Sequence, residues 1–238
     1  MLLELDGARL VTDPLLRDRV GPLVRKAVPV APGALEGLDA VLLSHLHADH
    51  ADLPSLRRLS RGATVIAPLG AGRWLAARGV RNVHELRAGE EMDVGAIRVA
   101  AKPAEHDPRR RPLGGARADP LGYAVSGTSS AYFAGDTDLF AEMGALNGTI
   151  DLALLPVSGW GATLGPGHLN PERAAEAAAR IAPRVAVPIH WGTLAPRWPL
   201  RSHPEPGAPP REFAELVGRG TTTVEVRVLQ PGQRTVVE

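Results

Sequence analysis

The segment AVLLSHLHADH, residues 40–50, decides how the rest of this chain is interpreted. Its first four residues form an apolar run typical of a buried strand, and the following seven contain three histidines and one aspartate. Neutral imidazole nitrogens and ionised carboxylate oxygens are good ligands for zinc and its neighbours, whereas clustered histidines fill a core poorly. The order H-x-H-x-D-H therefore predicts a metal site in the turn that leaves the strand.

The spacing within this turn predicts two metal positions. His45 and His47 can point to one side together, while Asp49 and His50 turn towards a second position nearby. The alternative is a solvated loop with incidental histidines, but the order of this motif is far more demanding than a single H-x-H. One loop is thus expected to contribute to two metals.

Other histidines and carboxylates stand where they could complete both ligand shells. His106, Asp136 and His190 each follow an apolar run that is typical of a strand. The three runs cover residues 97–104, 131–135 and 185–189. Strand ends followed by loops commonly carry site residues, so these positions predict ligands along one edge of a sheet.

With these motifs the chain resembles the metallo-β-lactamase-fold hydrolases. The matching segments are H-x-H-x-D-H at 45–50, A-E-H at 104–106, G-D-T at 135–137 and I-H-W-G-T at 189–193. The segment HLNPERAAE at 168–176 is similar to the branch with N-acylphosphatidylethanolamine-hydrolysing phospholipase D and ascorbate-6-phosphate lactonase-like proteins. The resemblance implies an α/β fold, a four-layer αββα sandwich of two mixed β-sheets flanked by helices.

The resemblance also implies a dinuclear metal-dependent hydrolase. The first metal would be held by His45, His47 and His106, the second by Asp49, His50 and His190, and Asp136 would bridge them. Zinc suits these ligand types best, and manganese or iron is compatible with a set made only of nitrogen and oxygen. A hydroxide shared by the metals would attack a phosphodiester, a phosphorylated lactone or a related ester, and Asp49 could also steer its proton.

Two other functions remain open at this point. One is a carboxylic ester or lactone hydrolase of the same fold, and the other is a non-catalytic, metal-stabilised binding or sensing protein. A nuclease of this fold is disfavoured because the formal net charge is only +1. Turnover would separate an enzyme from a binding protein.

Four residues outside the ligand set are candidate substrate contacts. His168 could contact substrate or protonate a leaving group, or it could merely hydrogen-bond its own loop. Arg109 and Arg110 could clamp an anionic substrate, although a solvated run of charges is the commoner situation. Trp160 could line the pocket or simply pack.

Composition is consistent with these expectations. With 238 residues and 44% hydrophobic content, the chain can bury a core as a single domain, residues 1–238. It contains no cysteine, so thiolate ligands and disulfides are excluded. We find no signal peptide and no membrane-spanning run, and we expect a cytoplasmic protein with a small, anionic substrate and no nucleic-acid partner.

The apolar patterns also predict individual elements. Residues 2–5 and 9–12 should form a hairpin, and residues 15–38 should form a loop without regular structure. Further predictions are helices over 54–59, 70–78, 138–146, 173–182 and 210–217, and strands over 63–67, 83–86, 92–94, 97–102, 121–125, 131–134 and 222–229.

Overall fold

The computed structural model of the chain describes residues 1–31, 33–111, 114–159, 164–197, 205, 207–220 and 223–237. The strands are β1 (Leu2–Leu5), β2 (Ala8–Thr12), β3 (Arg19–Val20), β4 (Leu23–Arg25), β5 (Ala40–Leu42), β6 (Thr64–Pro68), β7 (Val83–Leu86), β8 (Glu91–Val94), β9 (Ile97–Pro103), β10 (Leu121–Ser126), β11 (Ser130–Phe133), β12 (Leu152–Pro156), β13 (Val185–Ile189), β14 (Leu194–Pro196) and β15 (Glu225–Val226). The helices are α1 (Leu53–Leu59), α2 (Gly72–Ala76), α3 (Pro171–Ile181) and α4 (Ala208–Arg219), with a 3₁₀ helix at Ala141–Leu146.

Two large mixed sheets form the centre of the fold. The first has the order β1-β2-β5-β6-β7, and the second has the order β15-β13-β12-β11-β10-β9-β8. In the first sheet β1 is antiparallel to β2, and β2, β5, β6 and β7 are parallel. In the second sheet β11, β12, β13 and β15 are parallel, and the hairpin strands β8 to β10 are antiparallel.

The alternation of side chains along each strand creates four layers. On β5, Leu42 packs between the two sheets, while Val41 belongs to the cluster that α1 and α2 cover. On β13, Val187 faces the space between the sheets, while Ala186 packs beneath α3 and α4. Helices therefore cover the outer face of each sheet, which is the αββα sandwich that the resemblance implied.

Most predicted elements are present with shifted ends. The hairpin of β1 and β2 and most strands of the two large sheets lie where the apolar runs predicted them, but β12 was not predicted. The helix predicted at 70–78 is shorter, and the one predicted at 138–146 is the 3₁₀ helix. The predicted strand at 222–229 is β15 alone among the residues that the structure describes there, 223–229.

The expectation of an irregular loop at 15–38 was wrong. β3 and β4 form a short hairpin in this region, and β4 pairs with β14 in a small third sheet. These strands are only two or three residues long, so no alternation pattern can develop in the sequence. Their pairing depends on β14, which lies far along the chain.

No helix in the described part of the chain is long and apolar enough to cross a membrane.

Tyr123 joins the two large sheets beside the histidine-rich loop. Its buried hydroxyl, on β10, donates to the carbonyl oxygen of Leu43 at 2.8 Å. Tyr132 is buried on the adjacent strand β11, and its hydroxyl has no hydrogen-bond partner among the described residues. The two tyrosines therefore offer a matched pair for testing this link.

We predict that Tyr123→Phe lowers the free energy of unfolding by about 1–2 kcal/mol, because the Leu43 carbonyl then loses a buried partner. Tyr132→Phe should leave stability unchanged or raise it, because its hydroxyl makes no such bond. Urea denaturation followed by circular dichroism measures both variants. Equal destabilisation by the two substitutions would contradict the proposed link.

Candidate metal centre

The directions of the strands bring the candidate ligands to one edge of the sandwich. β9 is antiparallel to β10, which is antiparallel to β11, so β9, β11 and β13 all end at the same edge. His106, Asp136 and His190 follow these ends. The loop that follows β5 of the other sheet faces them, since the Ser44 carbonyl accepts a hydrogen bond from the amide of Leu121.

The first group of ligand-type atoms belongs to His45, His47 and His106. One ring nitrogen from each lies within 4.8 Å of the other two. The closest approach is 3.0 Å, between His106 Nε2 and His47 Nδ1. Three imidazole nitrogens that converge in this way are a ligand set that could hold a divalent ion.

The second group belongs to Asp49, His50 and His190. His50 Nε2 lies 3.2 Å from His190 Nε2, and their rings are stacked. Asp49 Oδ2 is 3.4 Å from His50 Nε2 and 3.6 Å from His190 Nε2. The same loop therefore contributes to both groups, as the spacing of the motif predicts.

Asp136 lies between the two groups. Its Oδ2 is 3.3 Å from His50 Nε2 and 3.6 Å from His190 Nε2, and with His106 and His168 it forms a further set of converging ligand atoms. His168 Nε2 is 3.9 Å from Asp136 Oδ2, and its ring packs edge-on against His106. The structure therefore brings His168 into the cluster together with every residue of the expected ligand set.

Two polar atoms inside the cluster have no hydrogen-bond partner among the described residues. They are His45 Nε2 and Asp136 Oδ1, and both are buried. A buried carboxylate oxygen and a buried ring nitrogen are costly to leave unsatisfied. A cation bound between them would satisfy both, so the residues present fit a divalent metal ion.

The outer nitrogens of the rings are held by neighbouring groups. His45 Nδ1 contacts the Ser44 hydroxyl at 2.9 Å, and His50 Nδ1 contacts Asp13 Oδ2 at 2.6 Å. His106 Nδ1 donates to the Gly167 carbonyl at 2.6 Å, and His190 Nδ1 donates to the Ser158 carbonyl at 2.8 Å. These contacts fix the orientation and tautomer of each ring and leave Nε2 directed into the site.

Asp13 is the residue of this site that the sequence interpretation missed. It follows β2 directly, and it also accepts a hydrogen bond from the Ser44 amide at 2.8 Å. It stands between the end of the predicted hairpin at residue 12 and Pro14, outside any histidine motif. Its position just after a predicted strand, like the positions of Asp136 and His190, could have identified it as a site residue.

Burial keeps two of the imidazoles neutral. It lowers the pKa of His45 well below the usual value, and it lowers the pKa of His106 to about 4. Both rings are therefore uncharged at neutral pH, which is the form in which imidazole binds a metal.

The carboxylates of the site stay ionised although they are buried. Burial alone would raise the pKa of Asp49 and of Asp136, but His50 and His190 hold both values well below the usual range. Conversely, the pKa of His50 is raised well above its usual value, because the nearby carboxylates outweigh the effect of its burial. The pocket thus attracts positive charge, which in the absence of a metal is a proton.

The backbone around the site is unusual at two positions. His190 has φ +62°, a left-handed conformation that is strained for a residue with a side chain. Gly135 has φ +63°, and a Cβ there would lie 2.6 Å from Cβ of Ser44. Glycine is therefore required immediately before Asp136, where β11 and the histidine-rich loop approach closely.

The remaining candidates differ in position. Arg109 pairs with Asp107 and is largely exposed. The guanidinium of Arg110 instead donates to the carbonyls of Leu46 and Ala51 and lies 4.4 Å from the ring centre of Trp74. This geometry favours a structural role for Arg110 over an anion clamp. Trp160 lies outside the described residues.

Comparison with known proteins identifies the family. Residues 8–191 match the model of the β-lactamase superfamily domain. The chain belongs to this family. The matched range includes all strands and loops that carry the ligand cluster described above.

Relatives of known name agree with this assignment. A UPF0173 metal-dependent hydrolase of Methanopyrus kandleri is 33% identical, over 97% of this chain and 93% of the relative. N-acyl-phosphatidylethanolamine-hydrolyzing phospholipase D 1 of Caenorhabditis elegans is 30% identical, over 81% of this chain and 61% of the relative. The chain spans 65% of the length of uncharacterised mycobacterial relatives that are 34% identical to it.

A solved structure shows the same fold. Igni18, a metallo hydrolase from the archaeon Ignicoccus hospitalis, superposes with a TM-score of 0.72 and 27% identity, over 98% of this chain and 91% of that one. The chain thus groups with metal-dependent hydrolases of the metallo-β-lactamase fold.

We predict that Arg110→Ala lowers the free energy of unfolding by about 2 kcal/mol, because two loop carbonyls lose a charged donor. Arg111→Ala is the matched control, since Arg111 is exposed and adjacent. Chemical denaturation of both variants measures the difference. Equal stability of the two variants would show that Arg110 does not hold the loop.

Proposed function

We propose that the chain is a dinuclear metal-dependent hydrolase of an ester bond. The observation that carries this proposal is the convergence of imidazole and carboxylate groups in one cluster, within which His45 Nε2 and Asp136 Oδ1 have no hydrogen-bond partner among the described residues. His45, His47 and His106 would hold one ion, Asp49, His50 and His190 would hold the other, and Asp136 would serve both. Zinc is the proposed ion, because neutral imidazoles dominate the set.

A pair of divalent ions in such a site supplies an activated water and polarises the bond to be cleaved. The chain's own groups have separate tasks. Asp49 is ionised, and its Oδ2 lies between the two rings of its group, so it can accept a proton at that oxygen. No serine or cysteine nucleophile is needed for this arrangement.

His168 is the proposed group for protonating the leaving alcohol. It is partly exposed, its Nε2 faces Asp136, and Nδ1 lies 3.3 Å from the Gly165 carbonyl. A ring whose Nε2 points into the ligand cluster can hold a proton towards a substrate that reacts there. The hydrogen bond between His168 and its own loop, which was the alternative to a substrate contact, is therefore compatible with this function.

Two substrate classes fit this centre. The phospholipase name of the nematode relative favours a phosphodiester or a phosphorylated lactone. A carboxylic ester or lactone is the second candidate, favoured by the apolar wall on one side of the site. Both reactions place a developing negative charge beside the same ligand cluster.

We predict that protein purified without added metal contains about two divalent ions per chain and hydrolyses an activated ester in a metal-dependent manner. Plasma emission spectrometry counts the ions. Turnover is measured with bis-p-nitrophenyl phosphate, a phenyl phosphonate ester and simple lactones, with and without Zn²⁺ or Mn²⁺.

Asp136→Ala should lose at least one ion, while His84→Ala, at an exposed position on β7, should keep both. Protein that stays folded but binds no metal after reconstitution would overturn the ligand assignment. Full metal content without turnover of any ester would instead favour a binding or sensing protein.

We predict that His168→Gln lowers kcat by about 10²–10⁴-fold with unchanged metal content, because glutamine cannot act as a general acid. The loss should be smaller for substrates with p-nitrophenol as leaving group than for those with alkyl alcohols, since the former leave without protonation. His84→Gln serves as the control. Unchanged kcat for alkyl esters would exclude this function for His168.

A further inference from the structure

A cavity of about 210 Å³ adjoins the candidate metal centre on the side of the second ligand group. Asp49, His50, Asp136 and His190 form one end of its wall. The rest lies in the space between the ends of β2, β11 and β13. A substrate whose reacting bond lies at the candidate metal centre could therefore place a neighbouring chemical group in this cavity.

Away from the candidate ligands the wall of this cavity is mainly apolar. Its apolar side chains include Leu15, Phe133, Val187, Ile189, Trp191 and Leu194. Thr193, Gln230 and Gln233 add uncharged polar groups. The function proposed from the ligands does not by itself require this apolar surface.

The charge of the cavity wall does not favour an anionic substituent on the substrate. Its ionisable side chains are the candidate ligands and Asp13, and among the described lining residues there is no lysine or arginine. The amino group of Met1 also lies there, but it donates to Thr12 and burial lowers its pKa. An anion placed in the apolar part of the cavity, away from the ligand cluster, would lose its hydration without gaining a lysine or arginine partner.

The volume limits the size of the group that fits. An engineered apolar protein cavity of about 150 Å³ binds benzene. A space of about 210 Å³ therefore accommodates a phenyl ring or a hydrocarbon chain of about six carbons. Longer lipid chains exceed it.

We propose that this cavity binds an uncharged apolar substituent of the substrate, of phenyl to hexyl size, and so selects neutral acyl or alkyl esters and lactones. The proposal rests on the hydrolase function proposed above and names its substrate class. Leu15 and Leu194 are the specificity-determining residues, because both line the cavity and neither belongs to the ligand cluster.

The substrate test uses p-nitrophenyl esters from acetate to decanoate with the metal-loaded protein. We expect kcat/KM to rise about fourfold per methylene group up to hexanoate and then to fall, as apolar burial and the cavity size require. The p-nitrophenyl monoester of adipate, which has a terminal carboxylate and a similar length, should react at least about tenfold more slowly than the hexanoate. A flat chain-length profile, or equal rates for these two esters, would overturn the proposal.

Matched variants locate the effect in the cavity. Leu15→Trp should fill it and abolish the preference for hexanoate, whereas Leu194→Ala should enlarge it and move the optimum to a longer chain. Leu16→Trp is the control, because Leu16 packs against the other face of the first sheet. A preference for hexanoate that survives in both cavity variants would show that the selection arises elsewhere.

A binding measurement separates this proposal from the hydrolase function. Fluorine NMR follows the binding of 4-fluorobenzyl alcohol and of 4-fluorobenzoate to metal-free and to zinc-loaded protein. If no ester is hydrolysed, binding of the alcohol that Leu15→Trp abolishes and Leu16→Trp preserves would still support the cavity, and the hydrolase function alone would fail. Absence of alcohol binding, or equal binding of the alcohol and the benzoate to the metal-free protein, would overturn the cavity proposal.

Discussion

The structure depends on one electrostatic constraint, which is the burial of two ionised carboxylates at the edge of the sandwich. Asp49 and Asp136 stay charged among imidazoles, and one oxygen of Asp136 has no partner among the described residues. Buried charge of this kind is tolerated only with a compensating cation close by. The positions of the strand ends, the tautomers of the rings and the strained backbone of His190 all serve to keep that space for a positive charge.

The sequence predicted much of this arrangement, because β5, β9, β11 and β13 each have an apolar pattern and are followed within a few residues by a histidine or an aspartate. The turn at 45–50 and the positions of His106, Asp136 and His190 were visible for this reason. Asp13 and Arg110 were not assigned their contacts, because these depend on segments dozens of residues away. The small third sheet also escaped prediction, since its pairing is entirely tertiary.

The site has two sides with different physical character. The side of His106 and His168 is lined by imidazoles and reached by the loop before α3, and this is the side where we propose protonation of the leaving group. The side of His50 and His190 opens on an apolar cavity bounded by the loop after β2, by β14 and by residues near the carboxyl terminus. Under these two proposals, bond cleavage and selection of substrate would depend on different segments of the chain.

The contact between His106 and Gly167 connects the loop before α3 to the ligand cluster. A Cβ on Gly167, which has φ +84°, would lie 3.2 Å from His106 atoms, so this residue is constrained by its conformation as well as by its carbonyl. The end of the loop nearest α3 is therefore constrained at Gly167, both by its conformation and by its contact with His106 Nδ1. An insertion between Gly165 and Gly167 would displace the carbonyl that orients His106, so the length of this loop is constrained at its α3 end.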